Sequence, residues 1–354
     1  MLLAKPQEKT VNIQPFPIKK LSIASTLSNP PACVLSSSRK QSSPSKSQTR
    51  EPDRNSPKRR LQKRGFGFDP EWNSLLIPYF IYEGETYPSP QCYSDSYEYE
   101  KWKENTFSTI RNSFNPVRLQ EYERRTVQEW IKQGADYILY QTSARGFPIQ
   151  FYEAMDPFRL IQAGRQVLIV VVTKGEALNS QAGTLFTREY RQEHGMKRLP
   201  WGIPPMFMAL NIDKIKKRSQ DGLESPKRAL LHELFHVLGG HHEHQRSDRD
   251  KYLIFNPYVT KERLDSRADF REIKQGESFS GFSVCMSGEY DFKSISHYPL
   301  ADLHAQMNRY PRGCSEGDLR NLAVLNVDEV GRKEEFSKGD LEFLEKIYKG
   351  KPRT

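Results

Sequence analysis

The chain has 354 residues and a formal net charge of +10, enough length to bury a full core as one large domain or two ordinary ones. The charge is uneven: residues 1–64 hold fourteen Lys or Arg against three Asp or Glu, while the remainder holds forty against forty-one. A neutral remainder argues against a folded region that binds nucleic acid, and with no run of eighteen apolar residues no transmembrane helix is expected.

In chain order, residues 1–10 lack a continuous apolar core and a small-residue cleavage site, so a classical secretory signal is not expected. The expected compartment is the cytoplasm, or the exterior by a non-classical route or with a leader that is missing here. Residues 1–64 are rich in Ser, Pro, Lys and Arg with scattered apolar residues, a composition that reads as a disordered arm. Basic runs such as residues 36–40 and 58–64 suit acidic surfaces or basic-specific proteases, and a solvated tail is the simpler reading. Residues 65–354 read as one folded domain. Residues 75–82 predict a strand, with Pro78 suited to an edge or the strand start. Asn115-Pro116 introduces an amphipathic helix in which Leu119, Tyr122, Val127, Trp130 and Ile131 share a face. Residues 165–173 form a β-branched run typical of a strand buried on both faces, and residues 206–212 read as another strand. A helix follows, with Ser225 placed as N-cap and Pro226 as first residue.

That helix carries His232, Glu233 and His236. Residues four apart lie one turn above each other, so the two imidazoles can reach one metal ion with Glu233 beside it. H-E-x-x-H is a zinc-hydrolase pattern, in which the Glu is general base on a metal-activated water. Gly239 can take the left-handed conformation that ends a helix and brings His242 back as third ligand. His241 and His244 are off this spacing and read as neighbours, and His194 and His304 as hydrogen-bonded core residues. The four cysteines, Cys33, Cys92, Cys285 and Cys314, are too few for a disulfide scaffold. Cys285 and Cys314 either pair or stay free.

Together His232, Glu233, His236, Gly239 and His242 meet the extended motif of the metzincin metalloproteases, and the chain resembles that clan. Glu243, followed by Arg246, Asp248, Arg249 and Asp250, is similar to the signature of the astacin family within it. Residues 290–298 resemble that family's Met-turn, S-x-M-H-Y, with Tyr298 as its tyrosine, and fainter similarity occurs at residues 77–79 and 336–348. The resemblance implies an α+β, two-lobed protease domain: a mixed sheet and the active-site helix in the N-terminal lobe, and an irregular C-terminal lobe. It also implies one catalytic Zn²⁺ held by His232, His236 and His242, with Glu233 as base and Tyr298 stabilising the transition state. Glu243 would receive the N-terminus released when a prosegment is cut away. Lys63-Arg64 before Gly65 marks such a cut, while Phe66-Gly-Phe-Asp69 partly resembles the family's zinc-blocking F-x-G-D and lies after it.

At one position the chain departs from the pattern. Ser296 stands where the Met-turn has methionine, which removes an apolar floor and offers a hydroxyl to a ligand imidazole. The function expected is a zinc endopeptidase acting on proteins or peptides, with a catalytically impaired, zinc-bound partner-binding module as the alternative. Oligomeric state stays open.

Overall fold

The computed structural model describes residues 65–67, 72, 74–84, 107–108, 110–112, 114–163, 165–175, 181–184, 206–256, 270–276, 278–279, 282–309 and 324–353. All lie in the contact unit Arg59–Thr354. The arm at 1–64, Asp69, Cys92, His194 and Cys314 fall outside the described residues.

A short strand β1 (Gly65–Gly67) precedes a five-stranded sheet built from β2 (Leu76–Tyr82), β3 (Gln150–Glu153), β4 (Leu168–Thr173), β5 (Gln181–Thr184) and β6 (Met206–Asn211). Its order is β3-β2-β4-β6-β5, parallel except for β5 at one edge. The continuous apolar run in β4 follows from its central place, because both of its faces are covered. Leu168, Val170 and Val172 join a core with Ile77, Ile81 and Met208 on one face. Ile169 and Val171 meet Phe80, Tyr82 and Ala209 on the other.

Strand β2 is interior, which corrects the edge expectation drawn from Pro78. Pro78 lies opposite Tyr152 of β3, one residue before the β4 ladder begins at the Tyr79–Leu168 pair. Leu75 and Tyr79 give their carbonyls to Gln150 of β3 and to Ala154 just after it, so the N–H that proline lacks would point to the side where no ladder has begun.

Helix α1 (Glu121–Ser143) begins later than Asn115-Pro116 suggested: residues 115–120 are not helical, and Glu123 caps the start by accepting the Gln120 N–H at 3.1 Å. Its buried stripe is Val127, Ile131, Ala135 and Ile138. Tyr122, placed on that face by the sequence reading, is 59% exposed, because five residues before Val127 is roughly 140° away around the helix. After α2 (Pro157–Gln162), Ile212 opens α3 (Ile212–Gln220) instead of ending β6, with Asn211 accepting the Lys214 N–H at 3.0 Å.

Helix α4 (Pro226–Val237) starts as the sequence implies: Ser225 Oγ accepts the Arg228 N–H at 3.1 Å and Pro226 fills the first turn. Gly134 of α1 lets α4 approach, since a β-carbon there would stand 2.9 Å from Leu230 and Leu234. With α5 (Lys338–Tyr348), these helices cover one face of the sheet through Leu230, Leu231, Leu234, Phe343 and Leu344.

Between α4 and α5 the described chain is irregular. Strands β7 (Leu253–Phe255), β8 (Ser278–Phe279), β9 (Phe282–Ser283), β10 (Cys285–Ser287) and β11 (Ala305–Met307) make only two-stranded pairs: β1 with β10, β7 with β11, and β8 with β9. Tyr252, Leu253, Phe270, Tyr290, Phe292 and Leu303 form a second small core there. A mixed sheet carrying the motif helix, followed by an irregular lobe, is the α+β metzincin-like arrangement expected. His304 is exposed at φ +50 in a turn, which corrects its reading as a core histidine. Among the described residues no helix is long and apolar enough to cross a membrane.

Candidate metal centre

His232 and His236 lie one turn apart on α4, and the chain reverses immediately after it. Gly239 has φ +99, a conformation glycine adopts without the clash a β-carbon would bring. Its N–H bonds the His236 carbonyl at 2.9 Å, and the Gly240 N–H bonds that of Phe235 at 2.9 Å. Strand β1 lies against this turn: the His241 N–H donates to the Phe66 carbonyl at 3.0 Å, and a β-carbon on Gly67 would stand 2.1 Å from the Gly239 oxygen.

The reversal brings His242 to the other two imidazoles. The Nε2 of His236 is 3.1 Å from those of His232 and His242, which are 3.2 Å from each other. Each Nδ1 meets an acceptor that carries no proton: the Ile295 carbonyl at 2.9 Å from His232, the Gly240 carbonyl at 2.7 Å from His236 and the Gln245 Oε1 at 3.0 Å from His242. The proton of each ring therefore sits on Nδ1, and three Nε2 lone pairs converge. Burial holds all three imidazoles below their ordinary proton affinity, so they are neutral donors.

Such a triangle fits one small cation. Its corners lie on a circle of radius about 1.8 Å, small enough for all three nitrogens to reach one ion at Zn–N distances of about 2.0–2.1 Å. These three residues are also the His, Cys, Asp or Glu group placed to hold a metal among the described residues.

Glu233, next to His232, is 5% exposed, and its Oε2 is buried without a hydrogen-bond partner. Burial pushes its carboxyl well above the usual range, reinforced by Glu224 and opposed by Arg228. The Tyr298 ring lies 4.6 Å from that of His242 and 5.9 Å from that of His232, at the margin of the triad. Glu243 is buried behind the turn, its Oε1 accepting from the Arg246 guanidinium at 3.1 Å and the Asp291 N–H at 2.9 Å. Burial, partly opposed by Arg246, pushes its carboxyl up to about 8.

Ser296 does not reach a ligand imidazole. It is fully buried and its hydroxyl donates to the His241 carbonyl at 2.7 Å, one residue before His242. Its contact is with the ligand loop's backbone, because Ile295 already occupies the outer nitrogen of His232. Of the off-spacing histidines, His241 lies 5.6 Å from the Phe66 ring, and His244 packs between His242 and Tyr298 at 5.1 and 4.5 Å.

Several site residues were not singled out by sequence. Gln245 follows His242 by three positions in a 3-10 turn, Glu243–Gln245. His297 is buried, its Nδ1 donates to the Tyr298 carbonyl at 2.6 Å, and the Tyr290 hydroxyl donates to its Nε2 at 2.8 Å. Arg228, ion-paired with Glu224 just before α4, ties the helix to this loop through a 3.4 Å bond to the His297 carbonyl. Two of these carried a local signal: Asp340 in the Ser337-x-x-Asp340 spacing of a capping box, and His297 at the histidine of the S-x-M-H-Y pattern.

Comparison with known proteins bears on the same stretch. Residues 225–349 match the model of the peptidase family described as Astacin. Nematocyst expressed protein 6 of Nematostella vectensis is 29% identical over 125 residues, covering 35% of this chain and 38% of that protein. Zinc metalloproteinase nas-3 of Caenorhabditis elegans is 31% identical over 103 residues, 29% of this chain and 30% of that one. The chain thus spans well under half the length of these relatives. Among solved structures, High choriolytic enzyme 1 from Oryzias latipes aligns over 78% of this chain and 90% of its own, at 15% identity and a TM-score of 0.38.

Proposed function

We propose that this chain, whose residues 225–349 match the astacin family model, is a zinc-dependent endopeptidase that hydrolyses peptide bonds in proteins or peptides. The observation that carries this reading is the convergence of three Nε2 lone pairs within 3.2 Å of one another, together with a buried, unpartnered carboxylate oxygen on Glu233, the residue after His232. Zinc, when bound, supplies a Lewis acid that acidifies water and polarises a carbonyl.

The chain's own residues do the rest. His232, His236 and His242 hold one ion, each fixed in orientation by the acceptor on its outer nitrogen. Glu233 takes the proton from the attacking water and later delivers it to the leaving amine. Its apolar surroundings raise its basicity for that task. Tyr298, from the opposite lobe, donates a hydrogen bond to the oxygen on which negative charge develops.

Residues 1–64 serve in this reading as a removable prosegment cut after Arg64, with Glu243 receiving the Gly65 amine. Phe66 and Glu243 line the same cavity of about 10 Å³, which supports it. Terminal sequencing of active material should begin at Gly65; a start at Met1 rejects the cut.

The test of the activity compares zinc content and digestion of casein or a peptide library by wild type and Glu233→Gln. Equal zinc and a turnover loss of about 10²–10⁴-fold are expected. A variant that cleaves as fast as wild type refutes the base, and a zinc-loaded wild type that cleaves nothing favours a partner-binding module.

A further inference from the structure

We propose that Asp340 carries a proton in the folded chain and donates it into a hydrogen-bond chain through Ser294 and Ser296 to the His241 carbonyl, so that it positions the metal ligands. This rests on the metal reading of the His232, His236 and His242 triad.

The hydrogen-bond chain has more links than its hydroxyls can fill. Three oxygen–oxygen contacts run in series through buried atoms: Asp340 Oδ1 to Ser294 Oγ at 2.6 Å, Ser294 Oγ to Ser296 Oγ at 2.8 Å, and Ser296 Oγ to the His241 carbonyl at 2.7 Å. Each needs one hydrogen. The two hydroxyls supply two and the carbonyl supplies none, so the third comes from the carboxyl. Were Asp340 ionised, Ser294 would donate to it and Ser296 to His241, leaving two hydroxyl oxygens 2.8 Å apart with no hydrogen between them. With the proton on Oδ1 every link has one donor and one acceptor. The other oxygen, Oδ2, is already an acceptor for the Ile295 and Ser337 N–H groups, both at 2.9 Å.

Asp340 thereby holds two ligands at once. Ile295 gives its N–H to Asp340 and its carbonyl to the Nδ1 of His232. Ser296 fixes the peptide that leads into His242. The position where the Met-turn would carry a methionine thus forms a polar strut between α5 and the ligand loop.

The charged surroundings favour the neutral acid. Asp291 faces it from the loop, its Oδ2 taking the Ser337 hydroxyl at 2.6 Å, and Glu243 faces it across the small shared cavity. Arg246, the nearby cation, is forked onto Asp248 and bound to Glu243. From α1, Tyr137 feels Asp340 and gives its hydroxyl oxygen to the Phe336 N–H. Burial first, and Asp291 second, push the Asp340 carboxyl up to about 7. A raised acid pKa makes the contribution complete at low pH and lost as pH rises through about 7.

Two measurements on the full chain test this. An infrared difference spectrum of zinc-free wild type against Asp340→Asn at pH 6 should show a protonated-carboxyl band that the variant lacks. Zinc release to a chelator should speed up roughly tenfold in wild type from pH 6 to pH 8.5. The asparagine mimics the neutral acid, accepting through its oxygen and donating through its amide, so its release should change less than twofold. Ser296→Ala, which cuts the chain, should release zinc at neutral pH as fast as wild type does at pH 8.5. Absence of the band, or an asparagine variant that follows the wild-type pH profile, overturns the proposal. If Asp340→Asn fails to fold, wild type against Ser296→Ala gives both readouts. A wild type that shows the band and binds no zinc overturns the positioning role through the metal reading, while the proton stays where it was assigned.

Discussion

Substituting Gly331 by Ala probes how Tyr298 is held without changing its side chain. Gly331 has φ +69, and a β-carbon there would stand 2.2 Å from the Pro299 nitrogen and 2.3 and 2.6 Å from the Tyr298 carbonyl carbon and oxygen. These are backbone atoms that cannot rotate away. Ordinary contact needs about 3.5–4 Å, so the Tyr298–Pro299 peptide must shift by on the order of 1 Å. Left-handed backbone on a non-glycine residue costs about 1–2 kcal/mol and overpacking about 1–3 more. At roughly 2–4 °C per kcal/mol, Tm should fall by about 4–20 °C.

A 1 Å displacement of a group that acts on the transition state costs about 10²-fold, so kcat should drop by that order with zinc content unchanged. Gly146→Ala is the matched control: φ is +82, but nothing lies within 4 Å of the added carbon, so it carries the backbone strain alone. Thermal melts, zinc analysis and peptide hydrolysis below the melting range decide the matter. If Gly331→Ala keeps wild-type kcat, or loses no more than Gly146→Ala, the reasoning about Tyr298 is refuted.

Gln245→Leu removes the acceptor from His242 Nδ1, so zinc should bind about 10–100-fold more weakly by competition with a chelator. Unchanged affinity would deny the glutamine its orienting role. His241 and His297 are pushed down by burial to about 3 and about 4, so their imidazole NMR signals should stay fixed between pH 7 and pH 5. In the unfolded chain both take up protons near 6.5, in the folded chain only below about 4, so their contribution to stability is lost as pH falls between those values. Signals that move near pH 6.5 would contradict their burial as neutral groups.

The histidine triangle was legible because its geometry is local. A helix turn separates His232 from His236, and one glycine reversal supplies His242, so spacing alone encodes the triangle. Glu243 and Tyr298 needed the family resemblance, since nothing in the sequence between them records that loop and helix end meet. The buried run in β4 was readable because a strand covered on both faces shows no polar period. The interior place of β2 was not, because Pro78 carries the same signal at an edge as at the start of a ladder. Strands β1, β3 and β5 hold three or four residues each, too few for alternation to register. In Asp340 the two levels separate: its spacing from Ser337 announces a helix cap, but its second partners, Ser294 and Ile295, are 46 and 45 residues away and exist only in the fold.

Ser296 shows why one departure from a family pattern has to be judged with its neighbours. A buried hydroxyl without partners costs about 1–3 kcal/mol, and in place of an apolar side chain it would also leave a void. Here the hydroxyl touches Ser294 and the His241 carbonyl at 2.8 and 2.7 Å, so it is satisfied and closely packed. A methionine would crowd both contacts and strip the His241 carbonyl of its donor. The support beneath the ligand loop has therefore changed its means, from apolar packing to hydrogen bonding. An apolar floor works at any pH, whereas this one is complete only while Asp340 keeps its proton. The single residue that departs from the motif thus ties the metal ligands to the protonation of a carboxyl on the last helix.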